Sequence, residues 1–256
     1  MQQRRPGFPA RIAPTTTAPA AARAPRSVLA PAAAPQGLGL DSAAVRARMV
    51  QRIAASGVGH PAVLQALGAV ERHRFVDSAL VNQAYEDTSL PIGLGQTISK
   101  PSVVARMLEL LLGAPALAVG GGRARVLEIG TGCGYQAAVL AQVATEVYSI
   151  ERLRALHEKA RANLRPLRLA NVHLILGDGM LGYAAGAPYA AIISAAGGAA
   201  VPRQWCEQLA PGGRLVAPVD GGQGRQALLV IDKTEHGLVQ QVLEAVHFVP
   251  LKSGIA

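Results

Sequence analysis

Short apolar runs that alternate with helical stretches dominate the second half of the chain. The runs RVLEI, EVYSI, NVHLIL and AAIIS are rich in β-branched residues, as are strands that are buried on both faces of a parallel sheet. The stretches YQAAVLAQVA and RLRALHEKARANLRPL lie between these runs, and PRQWCEQLA follows the last of them. This alternation predicts an α/β, doubly wound, mostly parallel sheet with right-handed crossovers.

The final apolar runs have a different spacing. GRLVAPV, QALLVID and VLEAVHFVPL are joined by short connections that leave no room for a crossover helix. They therefore predict antiparallel strands that complete one edge of the sheet.

Ahead of the sheet, the pattern predicts helices and a lid. Asp41 or Ser42 can cap a helix whose apolar residues Val45, Met49 and Ile53 recur every four positions, and PAVLQALGAV predicts a second, short helix. The next segment, residues 71–101, has no clear period, and long segments of this kind in compact domains are usually functional. We therefore predict one domain over 41–256, with a helical and substrate-lid part (41–118) and a cofactor-binding sheet (119–256).

Composition narrows the possible classes of protein. The chain has 256 residues, and none of its apolar runs approaches the roughly 20 residues that span a bilayer. Two cysteines, Cys133 and Cys206, are too few for a disulfide framework or a zinc site. We expect a cytoplasmic monomer with reduced thiols, no metal and no membrane partner.

The net charge of +9 is concentrated at the N-terminus. Residues 1–40 are rich in Pro and Ala and contain five arginines but no acidic residue. This composition predicts a disordered, dispensable arm, and an organellar transit peptide is the alternative. The arm lacks the interleaved aromatic residues that stack on bases, which argues against a nucleic-acid partner.

The motif VLEIGTGCGYQAAVL follows a predicted strand and precedes a predicted helix. Its glycines, Gly130, Gly132 and Gly134, allow a sharp turn and close approach of the backbone to a ligand. A dinucleotide site needs Gly or Ala where this chain has Tyr135. Glu128 would repel a diphosphate and attract an ammonium group, so the motif favours S-adenosylmethionine.

Two more acidic residues end predicted strands and support this choice. Glu151 can accept hydrogen bonds from the ribose hydroxyls, and Asp178, between Gly177 and Gly179, can accept from the adenine amino group. The carboxyl ends of parallel strands line one crevice, so the three acids are expected there together.

Five motifs together resemble the protein-L-isoaspartate O-methyltransferases. They are AYEDTSLPIGLGQTIS, VLEIGTGCGYQAAVL, LILGDGMLGYAAGAPY, LAPGGRLVAPV and the terminal HFVPL, in unbroken order over about 42–251. The resemblance implies a Rossmann-like fold and methylation of the free carboxylate of L-isoaspartyl residues in damaged proteins, with S-adenosylhomocysteine as the product. Lys252 departs from the pattern, since relatives can have a hydroxyl residue there, and we leave it out of the predicted site.

The predicted site combines the polar Gln-Thr-Ile-Ser segment with the three strand ends. Ser99 is the candidate catalytic residue, which would hold the acceptor carboxylate, and a role as a helix cap is the alternative. Tyr85, Glu86 and Asp87 either position substrate or support the loop. The predicted cofactor-binding residues are Gln96, Thr97, Ile98, Ser99, Glu128, Gly130, Thr131, Gly132, Cys133, Gly134, Glu151, Gly177, Asp178 and Gly179.

Two other functions stay open on the sequence alone. One is an S-adenosylmethionine-dependent methyltransferase for another carboxylate or a small molecule. The other is a nucleic-acid-associated protein that uses the basic arm and has a vestigial donor site.

Overall fold

The computed structural model of the protein describes residues 43–119, 124–222 and 224–256. The predicted arm (1–40) and the predicted capping residues Asp41 and Ser42 lie outside the described residues. No helix among the described residues is both long enough and apolar enough to cross a bilayer.

Four helices form most of the N-terminal part. They are α1 (Ala43–Ala55), α2 (Pro61–Ala69), α3 (Pro101–Leu112) and α4 (Pro115–Val119). On α1, Met49 and Ile53 are buried, as their four-residue spacing predicts. Both predicted helices of this part are therefore confirmed.

The segment between α2 and α3 is more regular than the sequence suggests. Two 3₁₀ turns, Arg72–Phe75 and Ser78–Gln83, precede a hairpin of β1 (Leu90–Gly93) and β2 (Gln96–Ile98). The hairpin turn places Leu94 and Gly95 at φ +53° and +67°. Positive φ at both central positions matches the twist of antiparallel strands but is rare for leucine, so residue preference does not predict this turn.

The main sheet has seven strands in the order β5-β4-β3-β6-β7-β8-β9. The strands from β5 to β7 are parallel, while β8 and β9 are antiparallel, which confirms the predicted fold class. Their bounds are β3 (Arg125–Ile129), β4 (Glu146–Glu151), β5 (Val172–Leu176), β6 (Tyr189–Ser194), β7 (Leu209–Gly222), β8 (Arg225–Thr234) and β9 (Gly237–Val246). The connecting helices are α5 (Tyr135–Leu140), α6 (Arg154–Leu164) and α7 (Arg203–Gln208).

Both faces of the sheet are covered, which explains the nearly continuous apolar runs. Along β3, Val126 packs into one hydrophobic layer, while Leu127 and Ile129 pack into the other. Successive side chains on a strand point to opposite faces of the sheet. A strand between two hydrophobic layers therefore needs apolar residues at both its odd and its even positions.

The strand order places a crevice at the centre of the sheet. The chain runs from β3 outward through β4 to β5, then returns to β6 on the other side of β3. Ile129 pairs with Ile150 on β4 and with Ser194 on β6, so the carboxyl ends of these strands are level. In open α/β sheets, ligands bind at such a switch point.

The predicted strand VLEAVHFVPL is wrong at its C-terminal end. The strand ends at Val246, because the Gln226 side chain binds the backbone of Phe248 in place of a strand partner. Phe248 N donates to Gln226 Oε1 at 2.6 Å, and Gln226 Nε2 donates to the Phe248 carbonyl at 3.3 Å. Residues 247–256, here called the C-terminal segment, therefore leave the sheet.

Candidate active site

A cavity of about 310 Å³ lies at the carboxyl ends of β3, β4 and β6. Its walls come from the β1–β2 hairpin, the glycine loop after β3, the end of β4, the loop after β6 and the C-terminal segment. This volume is within the range of small-molecule sites.

Most of the predicted site residues lie together around this cavity. Those that line it are Gln96, Thr97, Ile98, Ser99, Gly130, Thr131, Gly132, Cys133, Glu151 and Gly179. Four predicted residues are absent from its lining: Glu128, Gly134, Gly177 and Asp178. The hairpin and the glycine motif, which are distant in sequence, thus share one cavity.

The glycine loop is held against the end of β4. Gly132 N donates to Glu151 Oε2 at 2.9 Å, and Gly132 has φ +56°. Gly134 precedes α5 with φ +92°, and a Cβ there would lie 3.0 Å from the Leu164 side chain. Gly134 therefore allows α5 to pack against α6 rather than contacting the cavity.

Glu151 is buried, and both of its oxygens are fixed by the backbone. Besides the Gly132 contact at Oε2, Leu153 N donates to Oε1 at 2.9 Å. A carboxylate has about four acceptor sites, so this side chain can accept further hydrogen bonds from a ligand in the cavity.

Glu128 lies behind the cavity and has no exposed surface. The Ser149 hydroxyl donates a short hydrogen bond to Glu128 Oε2, and Thr131 Oγ1 lies 2.6 Å from Ser149 Oγ. Burial raises the pKa of Glu128 to about 8, and the Ser149 hydrogen bond and the nearby Gln136 amide oppose this rise only in part. Burial therefore favours the protonated form of this side chain, and its predicted contact with the cofactor stays a prediction.

Asp178 links the end of β5 to the C-terminal segment. Its Oδ1 accepts from Met180 N at 2.9 Å, and its Oδ2 accepts from Gly254 N at 2.7 Å. In this structure the Asp178 carboxylate holds the backbone beside the cavity and does not line the cavity itself. Its predicted contact with adenine stays a prediction.

The C-terminal segment closes one side of the cavity. Gly197 N donates to the Val249 carbonyl at 2.9 Å, and Leu251 N donates to the Gly197 carbonyl at 2.7 Å. Four residues of this segment line the cavity: Val249, Pro250, Leu251 and Lys252. The sequence pattern misses Val249, Pro250 and Leu251 because they share the apolar character of the strand before them. Lys252 is outside the predicted site because it departs from the family pattern.

Ser99 does not cap α3, although it precedes that helix. The cap comes from Asp87, whose carboxylate accepts from Ser102 N at 2.9 Å and from Ser102 Oγ at 2.7 Å. The alternative role of Ser99 as a helix cap is thus wrong, and Asp87 supports the loop. Ser99 is half-buried, and its hydroxyl has no hydrogen-bond partner in the described part of the chain.

Two further ionisable groups line the cavity and are neutral at physiological pH. Burial raises the pKa of the Cys133 thiol to about 11 and that of the Tyr135 hydroxyl to about 12. Within the described ranges, no cluster of three or more His, Cys, Asp or Glu side chains is placed to hold a metal ion.

Comparison with known proteins agrees with this architecture. The family model described as protein-L-isoaspartate(D-aspartate) O-methyltransferase matches residues 44–256. A protein-L-isoaspartate O-methyltransferase from Methylibium petroleiphilum is 63% identical over 222 residues, which are 86% of this chain and 81% of the relative. One from Leptothrix cholodnii is 60% identical over 220 residues, which are 85% and 77% of the two chains.

Solved structures share the fold. A solved structure of a protein-L-isoaspartate O-methyltransferase superposes on this chain with a TM-score of 0.71 and 29% sequence identity. The alignment covers 82% of this chain and 67% of the solved chain. A Plasmodium falciparum structure, described as a putative member in complex with S-adenosyl-L-homocysteine, has a TM-score of 0.70 at 22% identity, over 81% and 98% of the two chains.

The doubly wound sheet and the cavity at its switch point, walled by the glycine loop and Glu151, define a Rossmann-like methyltransferase. The family match covers nearly all of the described residues, including the β1–β2 hairpin. The chain belongs to the protein-L-isoaspartate(D-aspartate) O-methyltransferase family.

Proposed function

We propose that this chain transfers the methyl group of S-adenosylmethionine to the free carboxylate of L-isoaspartyl residues in damaged proteins, which starts their repair. One observation carries the proposal at the level of residues. The hairpin residues Gln96–Ser99 form a wall of the same cavity that Glu151 and the glycine loop line. This arrangement supports a site in which donor and acceptor meet in one cavity.

The residues around the cavity fit S-adenosylmethionine. Glu151 keeps free acceptor sites for the ribose hydroxyls, and the Gly130–Gly132 loop lets the backbone approach a ligand closely. When bound, this group supplies a methyl on a positively charged sulfonium, and no phosphate has to be accommodated. Glu151 alone suits the ribose of either ligand, whereas bulky Tyr135 stands where a dinucleotide site needs Gly or Ala.

The chain has to supply position rather than acid–base chemistry. An isoaspartyl residue offers a carboxylate of α-carboxyl type, with a pKa of about 3.5, so it is already ionised at neutral pH. The neutral Cys133 and Tyr135 in the wall agree with a site that holds no general base. Ser99 donates a hydrogen bond that orients the carboxylate, while the hairpin and the C-terminal segment exclude water.

Replacing Glu151 with alanine should weaken S-adenosylmethionine binding by roughly 1–3 kcal/mol, which corresponds to about a 5- to 150-fold higher Kd. The change removes the ribose acceptors and leaves Gly132 N and Leu153 N without their partner. Calorimetric titration measures the effect directly. Glu158→Ala, at an exposed position on α6, is the matched control and should bind normally. An unchanged Kd for Glu151→Ala would remove Glu151 from the cofactor site.

The two other candidate functions make different demands on the protein. A methyltransferase for another carboxylate should label free amino acids or small acids as well as it labels a peptide. A nucleic-acid-associated protein should bind DNA or RNA through residues 1–40, with an affinity that falls steeply with salt. Labelled S-adenosylmethionine offered with each substrate class separates these cases. We expect incorporation only with the isoaspartyl peptide.

We also infer that the enzyme acts as a cytoplasmic monomer and that residues 1–40 are dispensable for activity. Cys133 and Cys206 are free thiols, which suits a reducing compartment. The cavity is built from residues of one chain, so the proposed chemistry does not require a second subunit.

A further inference from the structure

Three charged side chains line the cavity: Glu151, Arg152 and Lys252. Glu151 accepts two backbone N–H groups, as described above. Arg152 Nε donates to the Gly254 carbonyl at 2.8 Å, and Arg152 Nη2 donates to the Ser253 carbonyl at 3.4 Å. Both side chains are therefore engaged by this protein's own backbone.

Lys252, in contrast, forms no such side-chain hydrogen bond with the described residues. Its side chain is exposed, and among the described residues its ammonium group forms no ion pair and no hydrogen bond. An exposed lysine elsewhere on the surface would call for no explanation, but this one stands in the wall of the active-site cavity.

The backbone around Lys252 is fixed on both sides. Leu251 N donates to the Gly197 carbonyl at 2.7 Å, and Gly254 N donates to Asp178 Oδ2 at 2.7 Å. These anchors belong to the loop after β6 and to the end of β5, so the Lys252 backbone is tied across the crevice. The flexible side chain thus carries a positive charge from a fixed point at the rim of the cavity.

The anion that suits this position is a carboxylate beside the reacting one. The reacting carboxylate loses its charge on methylation, so an ion pair with Lys252 would stabilise the ground state more than the transition state. A neighbouring acidic side chain keeps its charge throughout. Pairing with it strengthens substrate binding equally in both states and lowers KM without changing kcat.

We propose that Lys252 is a specificity-determining residue that favours isoaspartyl sites with an adjacent acidic residue. This inference rests on the proposed function, since it concerns the peptide that occupies the same cavity. An exposed ion pair contributes about 0.2–1 kcal/mol, so we expect kcat/KM to be about 1.4- to 5-fold higher for an acidic flank than for a neutral one, with the difference in KM.

Matched isoaspartyl peptides test the proposal. They carry Glu, Gln or Lys beside the isoaspartyl residue, on either side in separate peptides, and kcat and KM are measured for the unchanged protein, Lys252→Met and Lys252→Arg. The Glu-to-Gln ratio of kcat/KM should fall to about 1 in Lys252→Met, persist in Lys252→Arg and shrink with added salt. This ratio does not depend on how much of each variant is folded.

Two negative outcomes are distinct. Methylation of all the peptides with the same Glu-to-Gln ratio in the unchanged protein and in Lys252→Met would overturn the role of Lys252 and leave the proposed function standing. Methylation of none of them by the unchanged protein would overturn the proposed function, and the Lys252 inference with it.

Discussion

Replacing Ser99 with alanine should lower the rate of methyl transfer about 10- to 1000-fold, as the loss of an orienting hydrogen bond in a closed site does. The thermal midpoint should stay nearly unchanged, because the Ser99 hydroxyl has no partner among the described residues and the cap of α3 comes from Asp87. Single-turnover kinetics with an isoaspartyl peptide and thermal melting of the same sample measure the two quantities.

Asp87→Ala is the matched control for Ser99→Ala. It removes the acceptor for Ser102 N and should destabilise the fold by about 0.5–2 kcal/mol, the usual cost of a lost helix cap. The two variants should thus separate rate from stability. Full turnover in Ser99→Ala would mean that the hydroxyl does not orient the substrate.

Replacing Glu128 with glutamine should change how the stability of the ligand-free protein depends on pH. Burial raises the pKa of Glu128 from 4.5 to about 8, so the folded state holds a proton that the unfolded state releases between these values. The stability that this proton provides is fully present below about pH 4.5 and is lost as pH rises through about 8. One pKa unit corresponds to about 1.4 kcal/mol, so the effect amounts to several kcal/mol.

Glutamine carries no proton to release, so Glu128→Gln should gain stability relative to the unchanged protein as pH rises from 5 to 8. Chemical denaturation at several pH values gives the free energy of unfolding of each. Glu158→Gln, at an exposed position, should follow the unchanged protein closely. If the curves for Glu128→Gln and the unchanged protein run parallel over this range, Glu128 is ionised in the folded state.

The sequence predicts the parallel strands and the glycine turn before α5, because each depends on the properties of the residues within that element. The parallel strands follow from apolar, β-branched runs because both sheet faces are covered, as the alternate burial of Val126 and Leu127 shows. The glycine turn before α5 follows from Gly134, whose backbone conformation few other residues adopt.

The parts that local patterns miss depend on contacts between distant residues. The C-terminal segment leaves the sheet because Gln226 binds Phe248 and Asp178 binds Gly254. Such pairings have no signature in a single sequence. The raised pKa of Glu128 is hidden for the same reason, because its burial becomes evident only when the sheet is packed.

The cavity shows the same division. Glu151 and the glycine loop stand at strand ends, where the alternation of strands and helices predicts them. Lys252 and its neighbours reach the cavity through the anchors at Gly197 and Asp178, which a strand pattern does not contain.

The most direct test of a cavity that positions an isoaspartyl carboxylate uses two peptides of identical composition. One contains L-isoaspartate and the other contains aspartate at the same position, and each is incubated with the protein and S-adenosylmethionine labelled in its methyl group. We predict rapid labelling of the isoaspartyl peptide and negligible labelling of its twin, because both carboxylates are ionised at neutral pH and differ chiefly in their position relative to the backbone. Equal labelling of both peptides, or labelling of neither, would contradict this account.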